Sequence, residues 1–397
     1  MSAPLSGIRV IDWTHVLAGP ACAYYLGMLG ADVIKVERPV TGDAIRHRGG
    51  TDKARAAKGM STAYMTQGGG KRSIAIDLEA ETGRDVFRRL LKSADVLVEN
   101  HRPSTLERLG LTEEETRAIN SRLIHCAMTG YGRGGEMADT PAYDVNIQAV
   151  SGLMSMTGTA ESGPIRTGAP IIDYATGLSA AFAVTSALFA RTQTNTGSFV
   201  DVSMLETAFS LMSSTITDYQ LTGSVPQRRG NAANSRSVTS GTFPCRNGHI
   251  SLGVNEDGQF RRLAKALGQI EWLEDDRLST RRGRDAHADL IAGPLGTILA
   301  ERDADEWEQI LWREGVPAAK LRDLPDAIAL PTGQSEDRTE GQIGAQLPFR
   351  FMNVEPKHRS DPPALGQDTI EILEELGYAS QAIATLLQAG VVQGDAA

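Results

Sequence analysis

Asp173 is the residue whose surroundings offer the most chemistry. It stands in Gly168-Ala-Pro-Ile-Ile-Asp-Tyr-Ala-Thr-Gly-Leu178, directly before a long apolar stretch. One reading makes it the N-cap of the helix that follows, a place Asp fills well. The other makes it a nucleophile. A helix N-terminus keeps a carboxylate ionised, and an ionised carboxylate in a partly dry site can attack an activated carbonyl. The two readings are compatible.

Cations come next. Arg38, Lys71, Arg72 and Arg108 each fall at an expected strand end or helix start, where an open α/β sheet presents its ligand-binding edge. A lone Lys or Arg reads as solvated surface, whereas four near one edge suit a ligand with several phosphates. His15, in Trp13-Thr-His-Val-Leu-Ala-Gly-Pro20, falls in a loop after a strand and as a single His reads equally well as structural. Gly130-Tyr-Gly-Arg-Gly-Gly135 fits G-x-G-x-x-G after an expected strand, but Pro141 interrupts the span where a phosphate-binding helix would run. A flexible turn is the favoured reading, and a mobile loop beside an active site is the middle course. G-x-S-x-G is absent and the seven histidines show no H-x-x-x-H spacing, so hydrolase and metalloenzyme readings fall away and no metal is expected.

The elements that must position these groups follow from periodicity. Ile8–Trp13 and Asp32–Val36 are strand-like, and Ala21–Leu29 between them is helical, with Pro20 suited to the first turn and Gly30 to the left-handed stop. Ser73–Ile76, Gly83–Lys92 and Asp95–Val98 repeat the pattern, and Leu123–Met128 adds a strand. Repeated βαβ units predict an α/β fold with an open parallel sheet covered on both faces. Residues 174–191 and 202–222 read as long buried helices around a short strand at Phe199–Val202. At 397 residues two domains are the expectation. The polar stretch after Gly223 marks a boundary: a first domain over 1–222, a linker at 223–240, a small domain at 241–330, a second linker at 331–345 and a C-terminal part at 346–397. The small domain is expected to hold a strand at Ile250–Val254 and helices at Gly258–Leu267 and Asp305–Glu314, and Thr369–Leu376 is expected to be a helix of the C-terminal part.

The net charge of −9 argues against a nucleic-acid-binding surface, so an anionic ligand must meet a local basic pocket. Cys22, Cys126 and Cys245 are odd in number and widely spaced, which fits a reducing cytoplasm. The N-terminus lacks signal-peptide features and no uncharged apolar run approaches ~18 residues, so no membrane association is expected.

Taken together, several stretches resemble the family III (CaiB/BaiF-type) CoA-transferases over nearly the whole chain. They include Pro4-Leu-Ser-Gly-Ile-Arg-Val-Ile-Asp12, Leu29-Gly-Ala-Asp-Val-Ile-Lys-Val-Glu-Arg-Pro39, Lys71-Arg-Ser-Ile-Ala-Ile-Asp-Leu78, Ala94-Asp-Val-Leu-Val-Glu-Asn100 and Leu106-Glu-Arg-Leu-Gly110. Ile172-Asp-Tyr-Ala-Thr-Gly177, Gly197-Ser-Phe-Val-Asp-Val-Ser203 and Ala364-Leu-Gly-Gln367 continue the likeness. The resemblance implies a Rossmann-like large domain built from both chain ends, an inserted small α+β domain, and a homodimer whose subunits interlock as rings. It implies no tightly bound cofactor, coenzyme A as substrate and product, and acyl-CoA and small carboxylic acids as partners. Asp173 becomes the nucleophile that forms a mixed anhydride and then an aspartyl-CoA thioester. His15, Val16, Ala18, Arg38, Ile76, Asn100, His101 and Arg108 match the CoA site, with His101 replacing the usual aromatic. Leu17 stands where the formyl-CoA transferases have glutamine, so oxalate specificity is not implied. Gly230 and Asn231 fall in a stretch matching a loop that closes over the intermediate in relatives.

Two competing readings follow. The α-methylacyl-CoA racemases of the same superfamily need a second base, a histidine in a Gly-His-Asp stretch. Here the residues are Ala142-Tyr143-Asp144, and tyrosine, with a pKa near ~10, is a poor base at neutral pH. A non-catalytic CoA-binding protein would keep Arg38 and Arg108 meaningful but leave Asp173 as a cap.

Overall fold

A computed structural model describes residues 2–331, 346–354 and 361–394. Strand β1 (Arg9–Trp13), helix α1 (Ala18–Met28) and strand β2 (Asp32–Glu37) form the first βαβ unit, with β1 and β2 parallel in the register Arg9↔Asp32. Strand β3 (Arg72–Ile76), helix α2 (Glu81–Lys92) and strand β4 (Val96–Glu99) form the second. Helix α3 (Pro103–Leu109) leads on to strand β5 (Ile124–Thr129). Helix α4 (Asp144–Val150) and the 24-residue helix α5 (Ile171–Thr194) precede strand β6 (Ser198–Ser203). The helix expected over 202–222 is two helices, α6 (Met204–Leu211) and α7 (Ser213–Thr222), which break at Met212. Near the C-terminus follow α8 (Thr369–Glu375), α9 (Ser380–Gln388) and the two-residue strand β7 (Val392–Gln393).

The strands make one seven-stranded sheet in the order β7-β3-β2-β1-β4-β5-β6, all parallel except β7, which pairs antiparallel with β3. The inner strands are buried on both faces and are therefore apolar almost throughout, as a covered parallel sheet requires. On one face Ile11, Ile34, Ile74 and Leu97 pack under α2, α8 and α9. On the other Val10, Val33, Val96, Cys126 and Met128 pack under α1 and α5. The order reverses at β1, where the chain moves from one side of the sheet to the other. The crevice at the C-terminal ends of β1 and β4 is thus the switch point at which such sheets bind ligands.

The C-terminal segment is fastened by buried polar groups. Arg46 pairs with Glu37 (2.6 Å) and donates to the Pro363 carbonyl (3.1 Å), which the Tyr64 hydroxyl also reaches (2.9 Å). Asp368 accepts the Ser73 N–H (2.7 Å), and Thr369 accepts the Ala75 N–H.

The described residues divide into two compact units, 2–155, 166–226, 346–354 and 361–394 in one, and 156–165 with 227–331 in the other. The hairpin Gly158–Thr159 and Gly163–Pro164 thus goes with the second unit, although a boundary at 223 leaves it in the first. The second unit also has a three-stranded antiparallel sheet of Ser240–Pro244, His249–Gly253 and Ala318–Lys320, with helices Asp257–Ala266 and Ala304–Arg313 close to expectation. Its own core gathers Ile250, Leu252, Phe260, Leu263, Leu295, Trp307 and Leu311. Of the linker expected at 331–345, residues 332–345 lie outside the described ones.

Helix α5 alters one expectation, for it is long and apolar enough to cross a membrane. Its Ala180, Ala181, Val184 and Leu188 are instead spent in the core against α1 and the sheet.

Candidate active site

A cavity of about 340 Å³ opens at the switch point. The loop after β1 supplies His15, Val16 and Leu17, and Ala18 opens α1. The loop after β4 supplies Asn100, His101 and Arg102, the end of β5 supplies Met128 and Thr129, and Tyr143, Asp173 and Met204 complete the wall.

Asp173 is not the N-cap of its helix. Helix α5 begins at Ile171 with Pro170 in the cap position, so Asp173 sits within the first turn. The capping oxygen comes from Asp144, whose Oδ2 accepts the N–H groups of Ile172 (2.7 Å) and Asp173 (3.2 Å) while Oδ1 accepts from Gln148 Nε2 (2.6 Å). The Asp173 carboxylate is left facing the cavity, with no hydrogen bond to it among the described residues. Burial, with the neighbouring Asp144 carboxylate, pushes its pKa up to about 7. The helix end therefore does not hold it in the usual carboxylate range as expected, because burial and the Asp144 charge prevail.

The loop after β1 is held from behind by buried ions. Val16 has φ +68°, a rare conformation for a β-branched residue, and its N–H donates to Asp43 Oδ1 (3.2 Å). Asp43 pairs with Lys35 (3.2 Å), whose ammonium also donates to the Thr14 carbonyl (3.0 Å). Asp12 accepts from Thr14 and pairs with Lys71 (2.7 Å). Burial alone would raise the pKa of Asp12, but the charges of Lys35 and Lys71 prevail and hold it low. On the cavity side the His15 N–H donates to Asn100 Oδ1 and Asn100 Nδ2 donates back to the His15 carbonyl, both at 2.9 Å. The β1 and β4 loops are thereby locked together.

His101 lies over Trp13, with ring centroids 4.0 Å apart, and 5.2 Å from the His15 ring. Burial, with His15 beside it, pushes its pKa down to about 4, so it is a neutral, flat surface at physiological pH. The glycine-rich turn is anchored. Arg133 pairs with the fully buried Glu99, its N–H donates to Asp201 (3.0 Å), and Glu99 also accepts the His101 N–H (2.7 Å). Gly130 is required by closeness, since a Cβ there would sit 2.4 Å from that of Ala142.

Several expected residues lie elsewhere. Lys71 is committed to Asp12 and the Pro20 carbonyl beneath α1. Arg72 starts β3 at the opposite sheet edge, paired with Asp32 and Glu375. Ile76 is buried in the core. Neither cation is offered to the cavity, because Lys71 neutralises the buried Asp12 and Arg72 is held by Asp32 and Glu375. Arg38 and Arg108 are exposed, flank Glu79 and lie outside the cavity lining. Gly230 and Asn231 belong to the second unit, where the Gly230 N–H donates to the Gly158 carbonyl (2.8 Å). Sequence reading passed over Arg102 and Thr129, and named Asp144 only as the neighbour of Tyr143. Thr129 Oγ1 is buried on the cavity wall without a partner among the described residues, and a polar residue ending an apolar strand was its one signal. The cap that Asp144 makes had none, since its bonds reach 28 and 29 residues along the chain.

A doubly wound sheet, a cavity at its switch point and an uncapped carboxylate in the wall define a ligand-binding α/β protein with a candidate nucleophile. Residues 5–369 match the family model for CoA-transferase family III. Succinyl-CoA:glutarate CoA-transferase of Homo sapiens is 33% identical over 402 residues, covering 98% of this chain and 90% of that protein. The succinate–glutarate CoA-transferase of Agrobacterium fabrum is 33% identical, covering 94% and 96%. The crystal structure of a CaiB/BaiF family protein from Brucella suis has a TM-score of 0.82 and 32% identity over 95% of this chain and 100% of that one. The chain belongs to CoA-transferase family III and is an enzyme of that kind.

Proposed function

We propose that the protein exchanges coenzyme A between an acyl-CoA and a small free carboxylic acid through Asp173. One Asp173 oxygen attacks the thioester carbonyl, the C–S bond breaks, and CoA leaves as thiolate from a mixed acyl–aspartyl anhydride. The thiolate then attacks the aspartyl carbonyl, giving an aspartyl-CoA thioester and freeing the donor acid. The acceptor carboxylate attacks that thioester, and the released thiolate takes the acceptor acyl group, restoring Asp173. Covalent catalysis divides one hard exchange into steps of lower barrier.

The observation that carries the reading is the uncapped Asp173 carboxylate on the cavity wall. His15, Val16, Ala18, Asn100 and His101 surround it as the CoA-facing group, with Leu17 and Tyr143 on the acyl side. Arg102 on the cavity wall, with Arg38 and Arg108 outside it, are the cations proposed for the CoA phosphates, Arg108 exchanging its pairing with Glu79 (2.5 Å) for them. Relatives named for succinyl-CoA, glutarate and malate make dicarboxylic acids the first acceptors to assay. The large apolar side chains Phe182, Phe189 and Leu221, exposed on α5 and α7, support a homodimer, for which the interlocked form is our reading. The unpaired cysteines support a cytoplasmic location.

Incubation with acyl-CoA, followed by hydroxylamine or borohydride, should leave a mass-detectable modification on Asp173. Asp173→Asn should fold, bind CoA and lose turnover, because an amide is no nucleophile near neutral pH. Full activity in that variant would remove the mechanism.

A further inference from the structure

We infer that Asp144 is a positioning residue for the reaction: by capping α5 across 28 residues of sequence it leaves the Asp173 carboxylate unbonded and aimed into the cavity. The inference rests on the reading of Asp173 as nucleophile. An Asp in the first turn of a helix ordinarily finds the free N–H groups of that turn and spends its oxygens on them. Here those of Ile172 and Asp173 both point to Asp144 Oδ2. Asp144 is itself buried and is oriented by Gln148, whose Oε1 accepts the Thr167 N–H (3.0 Å) just before α5. Its side chain is thus braced by a chain of bonds that starts at Thr167.

A second effect follows from charge. The Asp144 carboxylate stands beside Asp173 and disfavours its ionised form, so the ionised nucleophile is more basic than a solvated aspartate. The other titratable or charged groups on the cavity wall are His15, His101, Arg102 and Tyr143. Among the elements packed on α5, α1 brings Cys22, Tyr24 and Tyr25, and α6 brings Glu206. Strand β5 brings His125 and Cys126, and β6 brings Asp201. None of these lines the cavity.

Two variants separate the effects. Asp144→Asn keeps one capping oxygen and removes the charge, so the acid limb of kcat/KM should move to lower pH by about half a unit or more, with the plateau within about threefold of the parent. Asp144→Ala removes the cap as well. The freed N–H groups then recruit Asp173, and the yield of trapped Asp173 adduct should fall about tenfold or more while CoA affinity, read by calorimetry, stays within about twofold. A purely structural Asp144 would lower thermal stability and leave the acid limb of Asp144→Asn where the parent has it. That coincidence of limbs would overturn the inference, even if Asp144→Ala failed to fold. Absence of any adduct in the parent enzyme would instead sink the nucleophile reading, so the two failures are told apart.

Discussion

A carboxyl group whose pKa stands near 7 is half protonated where most carboxylates are fully ionised, and that single property has two measurable consequences for Asp173. The first is kinetic. Only the carboxylate attacks, so kcat/KM should rise with pH and level off above about 7, giving an acid limb that Asp173→Asn cannot show. A rate independent of pH between about 5 and about 8, a range above the ordinary aspartate pKa and around the raised one, would contradict it. The second is thermodynamic. The folded-state pKa is raised, so between the ordinary aspartate value and about 7 the folded protein holds a proton that the unfolded chain has lost, and stability falls as pH rises. Asp173→Asn is free of that decline. Its melting temperature should exceed the parent's more at pH 8 than at pH 5, by an amount worth on the order of 1–3 kcal/mol.

At the scale of elements, the cavity depends on how closely α5 approaches α1. A Cβ added at Gly177 would lie 2.8 Å from the Ala21 Cβ and 2.9 Å from the Ala18 carbonyl oxygen. Backbone cannot yield as a side-chain tip can, so Gly177→Ala should push the helices apart at Ala18, a cavity residue. A loss of roughly 1–3 kcal/mol with weaker CoA binding is expected. Unchanged calorimetric affinity and melting temperature would show that the approach has slack. Which parts of this architecture could be read beforehand depends on range. The βαβ units were legible because apolar runs such as Val10–Ile11 and Val96–Val98 and the stop at Gly30 are local signals. The break at Met212 has no Gly or Pro to mark it. Strand β7 is too short to show a period. The site was half legible for the same reason. Asp173 and the His15–Ala18 loop carry recognisable neighbours, while the cap from Asp144 and the burial of Lys71 against Asp12 arise only when distant segments meet.

For the whole molecule, the prediction concerns assembly. If two subunits interlock, dissociation requires unfolding, and dilution should never yield a folded monomer. Analytical ultracentrifugation at falling concentration, paired with circular dichroism, checks this; a monomer with native ellipticity would contradict the interlocked form. The fastening of the chain's end has a further consequence for how the protein is made. Strand β7 and Thr369 complete the bonding of β3, Ile372 and Val392 pack with Ile74 and Ile76, and all of them are synthesised long after β3. Between the synthesis of β3 and that of β7 the nascent chain therefore carries an open strand edge and an uncovered apolar face. Translation must reach β7 before this edge of the sheet can close.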